Sequence, residues 1–189
     1  SDKCNKCSLN VCSWNISKGV LRKLKDKEFL MEIKNCDIVF LNECLVKCPT
    51  EFELNGYDKK FVYREKCNGG GVIVFYRKWL NPYIEVLNCC ANSMIWLKIS
   101  NVIMFDSKDL YLCAIYMPPD NNVFYRKYDL DVFEVLQEQI EHYSVLGNIA
   151  VIGDLNGRIG LENDFIMQDN LNIFNCNETD LLNYEPDLL

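Results

Sequence analysis

The apolar residues of this chain fall into several short runs that are separated by polar or turn-forming residues. Runs of this length, bounded by glycine, proline, asparagine or aspartate, are typical of buried β-strands. They predict strands at 8–16, 36–43, 69–78, 94–105, 110–116 and 149–156. The sequence Asp-Ser-Lys-Asp at 106–109 forms turns readily, so the fourth and fifth of these strands are expected to pair as a hairpin.

Two segments show instead the three- and four-residue apolar spacing of amphipathic helices. The first is 19–34, whose polar face is rich in lysine and arginine and is interpreted as solvent-exposed, with a phosphate-backbone contact as the alternative. The second is 130–146, for which either Asp129 or Asp131 is the expected N-cap. Its expected apolar face consists of Phe133, Leu136, Ile140 and Tyr143.

The order of these elements predicts a mixed α/β domain with many strands. We place this domain at 8–165. Residues 166–189 are rich in asparagine, aspartate and glutamate and show little periodicity, so we expect an acidic loop or tail there.

The composition is that of an ordinary globular protein, with 49% hydrophobic and 25% charged residues among 189. Its net charge of -7 disfavours a protein that holds nucleic acid by electrostatics alone, so a bound metal or a local basic patch would have to supply positive charge. No apolar run is long enough to span a bilayer, and no membrane partner is expected. No obligate protein partner is evident, and the oligomeric state is left open.

The chain contains 11 cysteines, an odd number. Cys12, Cys36 and Cys113 lie in predicted strands and are interpreted as small buried hydrophobic residues in a reducing compartment. An intracellular location, nuclear or cytoplasmic, follows from this interpretation. Cys4 and Cys7 have zinc-ligand spacing, but no second pair follows at a suitable distance.

Polar residues stand at the ends of four predicted strands: Asn15, Glu43, Tyr116, and Asp154 with Asn156. Loops at strand ends, held by a rigid sheet, are where binding and catalytic sites are commonly built. Carboxylate and carboxamide oxygens suit Mg²⁺, which needs only one or two carboxylates because it retains several waters. These strand ends therefore predict a metal and phosphate site.

Each of these residue types suits a role in phosphate chemistry. Glu43 is the first candidate metal ligand, and Asn15 could position the same metal or a phosphate oxygen. Asp154 and Asn156 are two residues apart, so in an extended chain they would point to the same side and could aim a water at phosphorus. Tyr116 could donate a hydrogen bond to a phosphate oxygen. Arg158 is a candidate phosphate contact, with an ordinary surface arginine as the alternative.

Five segments resemble, in order and spacing, the motifs of the endonuclease/exonuclease/phosphatase superfamily. They are SWNI at 13–16, DIVFLNE at 37–43, GGGVIVFYRK at 69–78, LYLCAIYMPP at 110–119 and IAVIGDLNGRIG at 149–160. The final Arg-Ile-Gly is especially similar to the endonuclease domains of LINE-type retrotransposons, whose apurinic-like enzymes act on DNA.

The resemblance implies a four-layered α/β sandwich with two packed mixed β-sheets flanked by helices. It also implies Mg²⁺ or Mn²⁺ dependence and phosphodiester hydrolysis, with DNA as the substrate. By this resemblance Asn15 and Glu43 lie at the metal, and Tyr116 contacts the phosphate. Asp154 and Asn156 orient the nucleophile or stabilise the transition state.

One motif of the superfamily, a Ser-Asp-His near the C-terminus, has no counterpart in this sequence. The only histidine, His142, lies within the second predicted helix and is interpreted as structural or surface. We therefore expect a C-terminally truncated domain, with an incomplete second sheet and weak or no activity alone. Two alternatives remain: a non-catalytic binding module or decayed remnant of the fold, and a phosphoinositide or sphingolipid phosphodiesterase.

Overall fold

A computed structural model describes residues 8–17, 19–44, 52–62, 71–87, 93–104, 106–119 and 122–157. The chain divides into two units, Ser1–Asn156 and Gly157–Leu189, and the sheets and helices described here belong to the first. The domain limits of 8–165 and 166–189 stay a prediction. Cys4, Cys7 and Arg158 lie outside the described residues.

The first sheet combines one parallel strand pair with two antiparallel strands. Its order is β1-β2-β4-β3, in which β1 and β2 run parallel and the other neighbours run antiparallel. The strands are β1 Val11–Asn15, β2 Ile38–Asn42, β3 Tyr57–Val62 and β4 Val72–Arg77.

The second sheet has the same arrangement of strands as the first. Its order is β5-β6-β7-β8, in which β7 and β8 run parallel and the other neighbours run antiparallel. The predicted pairing of the fourth and fifth strands is thus confirmed, as β6 with β7. The strands are β5 Ile84–Val86, β6 Met94–Ile99, β7 Leu110–Tyr116 and β8 Asn148–Asp154.

Short helices join the strands. They are α1 Val20–Lys23, α2 Lys27–Ile33, α3 Asn101–Met104, α4 Val123–Tyr128 and α5 Val132–Ser144, with a 3₁₀ turn at Lys78–Leu80. Within the described ranges, none of them combines the length and the apolar character needed to cross a membrane.

The layers follow from which side of each strand is apolar. Between the sheets, alternate residues such as Phe40 of β2 and Leu112 of β7 form one buried core. The opposite face of the first sheet packs against α1 and α2 through Val20 and Phe29, and that of the second sheet packs against α4 and α5 through Phe124 and Leu136. The predicted four-layered sandwich of two mixed sheets is confirmed.

Two predicted elements are wrong in extent. The helix expected over 19–34 is two helices, because Asp26 caps the second one: its Oδ1 accepts the N–H groups of Glu28 and Phe29 at 3.1 and 3.3 Å. The strand expected over 94–105 ends at Ile99. Residues 101–104 are helical, and the side chain of Asp109 accepts the N–H of Asn101 at 2.8 Å.

The apolar face of α5 is confirmed at Leu136, Ile140 and Tyr143, which belong to or pack against the core, but not at Phe133. Asp131 is the N-cap, accepting the N–H of Phe133 at 2.8 Å, whereas Asp129 ends α4 in a left-handed conformation. The helix therefore buries Val132 and Leu136, one turn apart. Phe133 is 62% exposed, so its assignment to the core is wrong.

The described cysteines Cys12, Cys36, Cys44 and Cys113 are free thiols. Cys113 is buried within β7, as expected. Cys12 and Cys36 are only half-buried, and Cys36 precedes β2 instead of lying in it, so the prediction of three buried strand cysteines is wrong for these two.

Candidate active site

The carboxyl ends of the two parallel strand pairs bring most of the predicted site residues together. Across β1 and β2, Asn15 is the register partner of Asn42, and Glu43 follows directly. Across β7 and β8, Tyr116 is the partner of Asp154. Parallel neighbours end at the same edge of their sheet, so each pair presents its final side chains side by side.

Strand alternation turns Asn42 and Asp154 toward the space between the sheets. Phe40 and Ile152 belong to or pack against the core between the sheets, and Asn42 and Asp154 stand two residues further along the same strands. Tyr116 is itself part of that core and is nearly fully buried. The site therefore lies at one mouth of the layer between the sheets.

Two hydrogen bonds cross from one sheet to the other at this mouth. Asn15 Nδ2 donates to Asp154 Oδ2 at 2.8 Å, and Tyr116 Oη donates to Glu43 Oε1 at 2.9 Å. Each bond joins a residue that follows or ends a strand of the first sheet to a strand end of the second sheet. Four of the six predicted site residues thus form one constellation.

Local backbone contacts orient Asn15 and Asp154. The Oδ1 atom of Asn15 accepts the N–H of Ser17 at 3.0 Å, which directs Nδ2 of the same carboxamide toward Asp154. The Oδ1 atom of Asp154 accepts the N–H of Asn156 at 3.0 Å. With both oxygens engaged, the Asp154 carboxylate has a defined orientation and still offers lone pairs to a further donor.

Glu43 occupies a backbone conformation that is uncommon for residues other than glycine, with φ 54°. This turn follows the end of β2, and the next residue, Cys44, donates its N–H to the carbonyl of Gly71 at 3.4 Å. The side chain of Glu43 is half-buried. Its Oε1 accepts from Tyr116, whereas its Oε2 has no hydrogen-bond partner within the described part of the chain.

Asn156 is close to this constellation but does not share the orientation of Asp154. β8 ends at Asp154, and Asn156 has a left-handed conformation with φ 46°, so the expectation that both side chains point the same way along an extended chain is wrong. The Nδ2 atom of Asn156 donates to the carbonyl of Met117 at 2.7 Å. It therefore fastens the loop after β8 to the residue that follows Tyr116.

Two carboxylates give the described part of the site a negative charge. Glu43 and Asp154 are half-buried, and among the described residues neither has an ion-pair partner. No group of three or more His, Cys, Asp or Glu side chains that could hold a metal is found in those residues either. A site with carboxylate and carboxamide oxygens but few charged ligands fits a hard cation that retains several waters.

A fifth polar residue at the site, Asn42, was missed by sequence reasoning. It is 1% exposed, and its Nδ2 donates to Ser13 Oγ at 3.2 Å. Its sequence signal is a polar residue that ends an otherwise apolar strand immediately before Glu43. His142, the histidine of α5, is exposed beside Tyr143.

The fold is shared with several solved nucleases and phosphatases. One is the APE2 catalytic domain of Xenopus laevis, with 20% sequence identity, 78% of this chain and 58% of that chain covered, and a TM-score of 0.56. A Neisseria 3′ phosphatase, NExo, bound to a product DNA hairpin, has 12% identity, 79% and 58% coverage, and a TM-score of 0.56. The endonuclease domain of TRAS1, a telomere-specific non-LTR retrotransposon, has 15% identity, 80% and 60% coverage, and a TM-score of 0.50.

This chain has the fold of the endonuclease/exonuclease/phosphatase superfamily. The resemblance seen in its motifs is confirmed at the level of the fold. The chain spans less than two thirds of the length of each of these three structures. No protein-family model matches the chain, and comparison with curated protein sequences finds no match.

Proposed function

We propose that this chain carries the metal- and phosphate-binding part of a Mg²⁺-dependent phosphodiester hydrolase, of the DNA endonuclease type found in LINE-type retrotransposons. The observation that supports this most is the pair of hydrogen bonds across the sheets, Asn15 to Asp154 and Tyr116 to Glu43. Both carboxylates are held by neutral donors and lack a cationic partner among the described residues, which is the arrangement a divalent cation would complete.

Glu43 is the proposed ligand of Mg²⁺ or Mn²⁺, because its Oε2 is free of hydrogen bonds to described residues. Asn15 is the second proposed contributor, since its Oδ1 accepts only the N–H of Ser17 and retains a lone pair. When bound, the cation would neutralise the charge of the phosphate and polarise it toward attack.

The remaining residues have roles that follow from their hydrogen-bonding capacity. Asp154, fixed by Asn15 and by the Asn156 N–H, is proposed to accept a proton from the attacking water and to hold that water in line with the scissile bond. The Tyr116 hydroxyl has a single hydrogen, so it is proposed to release Glu43 and donate to a phosphate oxygen when substrate binds. Asn156 is proposed to hold the end of β8 beside Met117, and the guanidinium of Arg158 stays a candidate phosphate contact.

DNA is the proposed substrate, and an intracellular site of action, nuclear or cytoplasmic, accompanies it. Support comes from the Arg-Ile-Gly ending at 158–160 and from fold neighbours that include a retrotransposon endonuclease and a phosphatase bound to a DNA hairpin. The acidic chain, with a net charge of -7, would depend on the bound cation to approach a polyanion.

Nicking of supercoiled plasmid by the 189-residue chain tests this proposal. We expect slow nicking that requires Mg²⁺ and stops with EDTA. Glu43→Ala and Asp154→Ala should each lower the rate by about a hundredfold or more, the scale for losing a group that stabilises the transition state. Glu85→Ala, which removes an exposed carboxylate from β5, is the matched control and should leave the rate unchanged.

The same proteins separate the alternatives. Metal binding without nicking of DNA would favour a non-catalytic module. Hydrolysis of phosphoinositides or sphingomyelin, with plasmid left intact, would favour the lipid phosphodiesterase. Nicking that survives both EDTA and Glu43→Ala would contradict the proposal itself.

A further inference from the structure

Asn42 is an unusual residue for the place it occupies. It is one of two polar residues among the fully buried described side chains, the other being Ser93. Its Oδ1 has no hydrogen-bond partner within the described residues, and the atom is shielded from bulk solvent. A buried acceptor left without a donor is unfavourable, so such a group calls for a functional or solvent-based explanation.

The position of Asn42 links it to the candidate active site. It is the register partner of Asn15 across the parallel strands β1 and β2, and it precedes Glu43 in sequence. It stands two residues after Phe40, so its side chain enters the layer between the sheets, on the side where Tyr116 and Asp154 lie. Asn42 is therefore the inner neighbour of the residues that we propose to hold the cation.

The contact with Ser13 engages one of the two polar atoms of the Asn42 carboxamide. Asn42 Nδ2 donates to Ser13 Oγ at 3.2 Å, which leaves the oxygen Oδ1 as the free group. The partner that would satisfy Oδ1 must be a donor small enough to enter a buried space. A water of a hydrated divalent cation is such a donor, and its polarised O–H groups make strong hydrogen bonds.

We propose that Asn42 is a positioning residue, whose Oδ1 accepts a hydrogen bond from a water in the hydration shell of the cation held by Glu43. This inference rests on the proposed function. Asn42 would fix the cation from the inside of the fold while Glu43 binds it directly. Outer-shell partners of this kind tune metal affinity without touching the metal.

Mn²⁺ binding to the full chain, followed by the electron paramagnetic resonance signal of free Mn²⁺, tests the inference without relying on activity. Asn42→Leu keeps the branched shape of the side chain and removes the acceptor, and it should weaken Mn²⁺ binding about 10- to 100-fold. Asn42→Asp retains an oxygen acceptor and should bind Mn²⁺ at least as tightly as the unchanged protein. Ser13→Ala, which only frees the Asn42 side chain to rotate, should cause a smaller loss than Asn42→Leu.

Gln139→Leu is the matched control, because Gln139 on α5 also has a buried carboxamide oxygen without a partner among the described residues. It should leave Mn²⁺ affinity unchanged. Thermal melting of each variant verifies that it is folded at the temperature of the titration. If Asn42→Asp proves unfolded, the comparison of Asn42→Leu with Ser13→Ala and Gln139→Leu decides the question.

The outcomes separate this inference from the proposed function. Loss of Mn²⁺ binding in Glu43→Gln, with affinity unchanged in Asn42→Leu, would overturn the inference alone. Equal weakening in Asn42→Leu and Asn42→Asp would also overturn it, because the oxygen would then not be the group that acts. A chain that binds no Mn²⁺, or binds it equally well after Glu43→Gln, would overturn the inference together with the metal site.

Discussion

Each sheet contains one parallel and two antiparallel strand pairs, yet the candidate site residues belong to the parallel pairs. β1 and β2 lead to Asn15 and Glu43, and β7 and β8 lead to Tyr116 and Asp154. The antiparallel strands β4 and β6 begin at this edge. The residues just before them contribute backbone carbonyls, with Gly71 accepting from Cys44 and Ser93 accepting from Tyr116.

The difference follows from strand direction. Two parallel neighbours end at the same edge, so two consecutive loops leave the sheet side by side, each able to carry a functional side chain. An antiparallel neighbour brings only its beginning to that edge. Packing two such sheets face to face brings the ends of both parallel pairs to one mouth, where the hydrogen bonds between the sheets form.

The largest expected effect comes from disturbing the close packing of the parallel pair β7 and β8. Gly153 has φ 145°, and a Cβ added to it would lie 1.9 Å from the carbonyl oxygen of Ile115, its register partner on β7. Gly153→Ala should therefore lower the free energy of unfolding by about 3 kcal/mol or more, as backbone strain and overpacking combine. Urea unfolding measures it.

Gly157→Ala is the control for this substitution, because no atom of the described residues lies within 4 Å of its added Cβ. It should change the free energy of unfolding by no more than about 0.5 kcal/mol. Equal effects of the two substitutions would show that the parallel pair of the second sheet does not depend on the close approach at Gly153.

A second, smaller effect is expected from removing one tyrosine hydroxyl at the end of a parallel pair and, for comparison, one on an antiparallel strand. Tyr116→Phe deletes the donor to Glu43 and should lower the nicking rate about 10- to 100-fold with little change in stability. Tyr57→Phe on β3 deletes a hydroxyl that donates to the carbonyl of Cys36 at 2.6 Å. It should cost about 1 kcal/mol of stability and leave the nicking rate unchanged.

A nicking rate that falls equally in Tyr116→Phe and Tyr57→Phe would contradict the assignment of the site to the parallel pairs. The site would then depend on the antiparallel strand β3 as well. Rates normalised to the folded fraction, from circular dichroism at the assay temperature, exclude simple unfolding as the cause.

The smallest effect concerns the opposite end of the second parallel pair, where Asp109 precedes β7. The N–H of Asn101 and then the Lys98 ammonium, 3.2 Å away, hold the pKa of Asp109 below its ordinary 3.8. A lowered pKa means that the contribution to stability is complete above pH 3.8 and is lost as the pH falls through the lowered value.

Asp109→Asn should therefore reduce stability at neutral pH by at most about 1 kcal/mol, since the pair is partly exposed and screened by solvent. The difference from the unchanged protein should shrink as the pH is lowered below the ordinary pKa of the group. Denaturant unfolding across this range measures it. A difference that grows toward acid pH would contradict the assignment, and nicking should not change.

Much of the buried fold could be predicted from the sequence, because strands covered on both faces are almost continuously apolar. β2, Ile38–Asn42, is completely buried and was predicted, whereas β3, Tyr57–Val62, was missed. In β3 the run Asp58-Lys59-Lys60 interrupts the apolar pattern, because this edge strand is partly exposed. The 19–34 segment was misassigned since tertiary position and the Asp26 cap outweighed its periodicity.

For the candidate site, the residue types at strand ends were predictable, but their contacts were not. Asn15 and Asp154 lie 139 residues apart and on different sheets, and only packing brings them to 2.8 Å. The turn of Asn156 away from the strand also depends on a local contact, its bond to Met117. Asn42 was missed because a single polar residue in an apolar run gives no indication of what it faces.

We propose that the ends of both parallel pairs face one divalent cation, and a Mn²⁺ titration of four proteins tests this arrangement. Glu43→Gln should weaken Mn²⁺ binding by at least about a hundredfold, and Asp154→Asn by about tenfold, because its charge faces the same space from the other sheet. Glu85→Gln, on the antiparallel β5, should bind Mn²⁺ as tightly as the unchanged chain. Equal affinities in all four proteins would show that Glu43 and Asp154 do not share a bound cation.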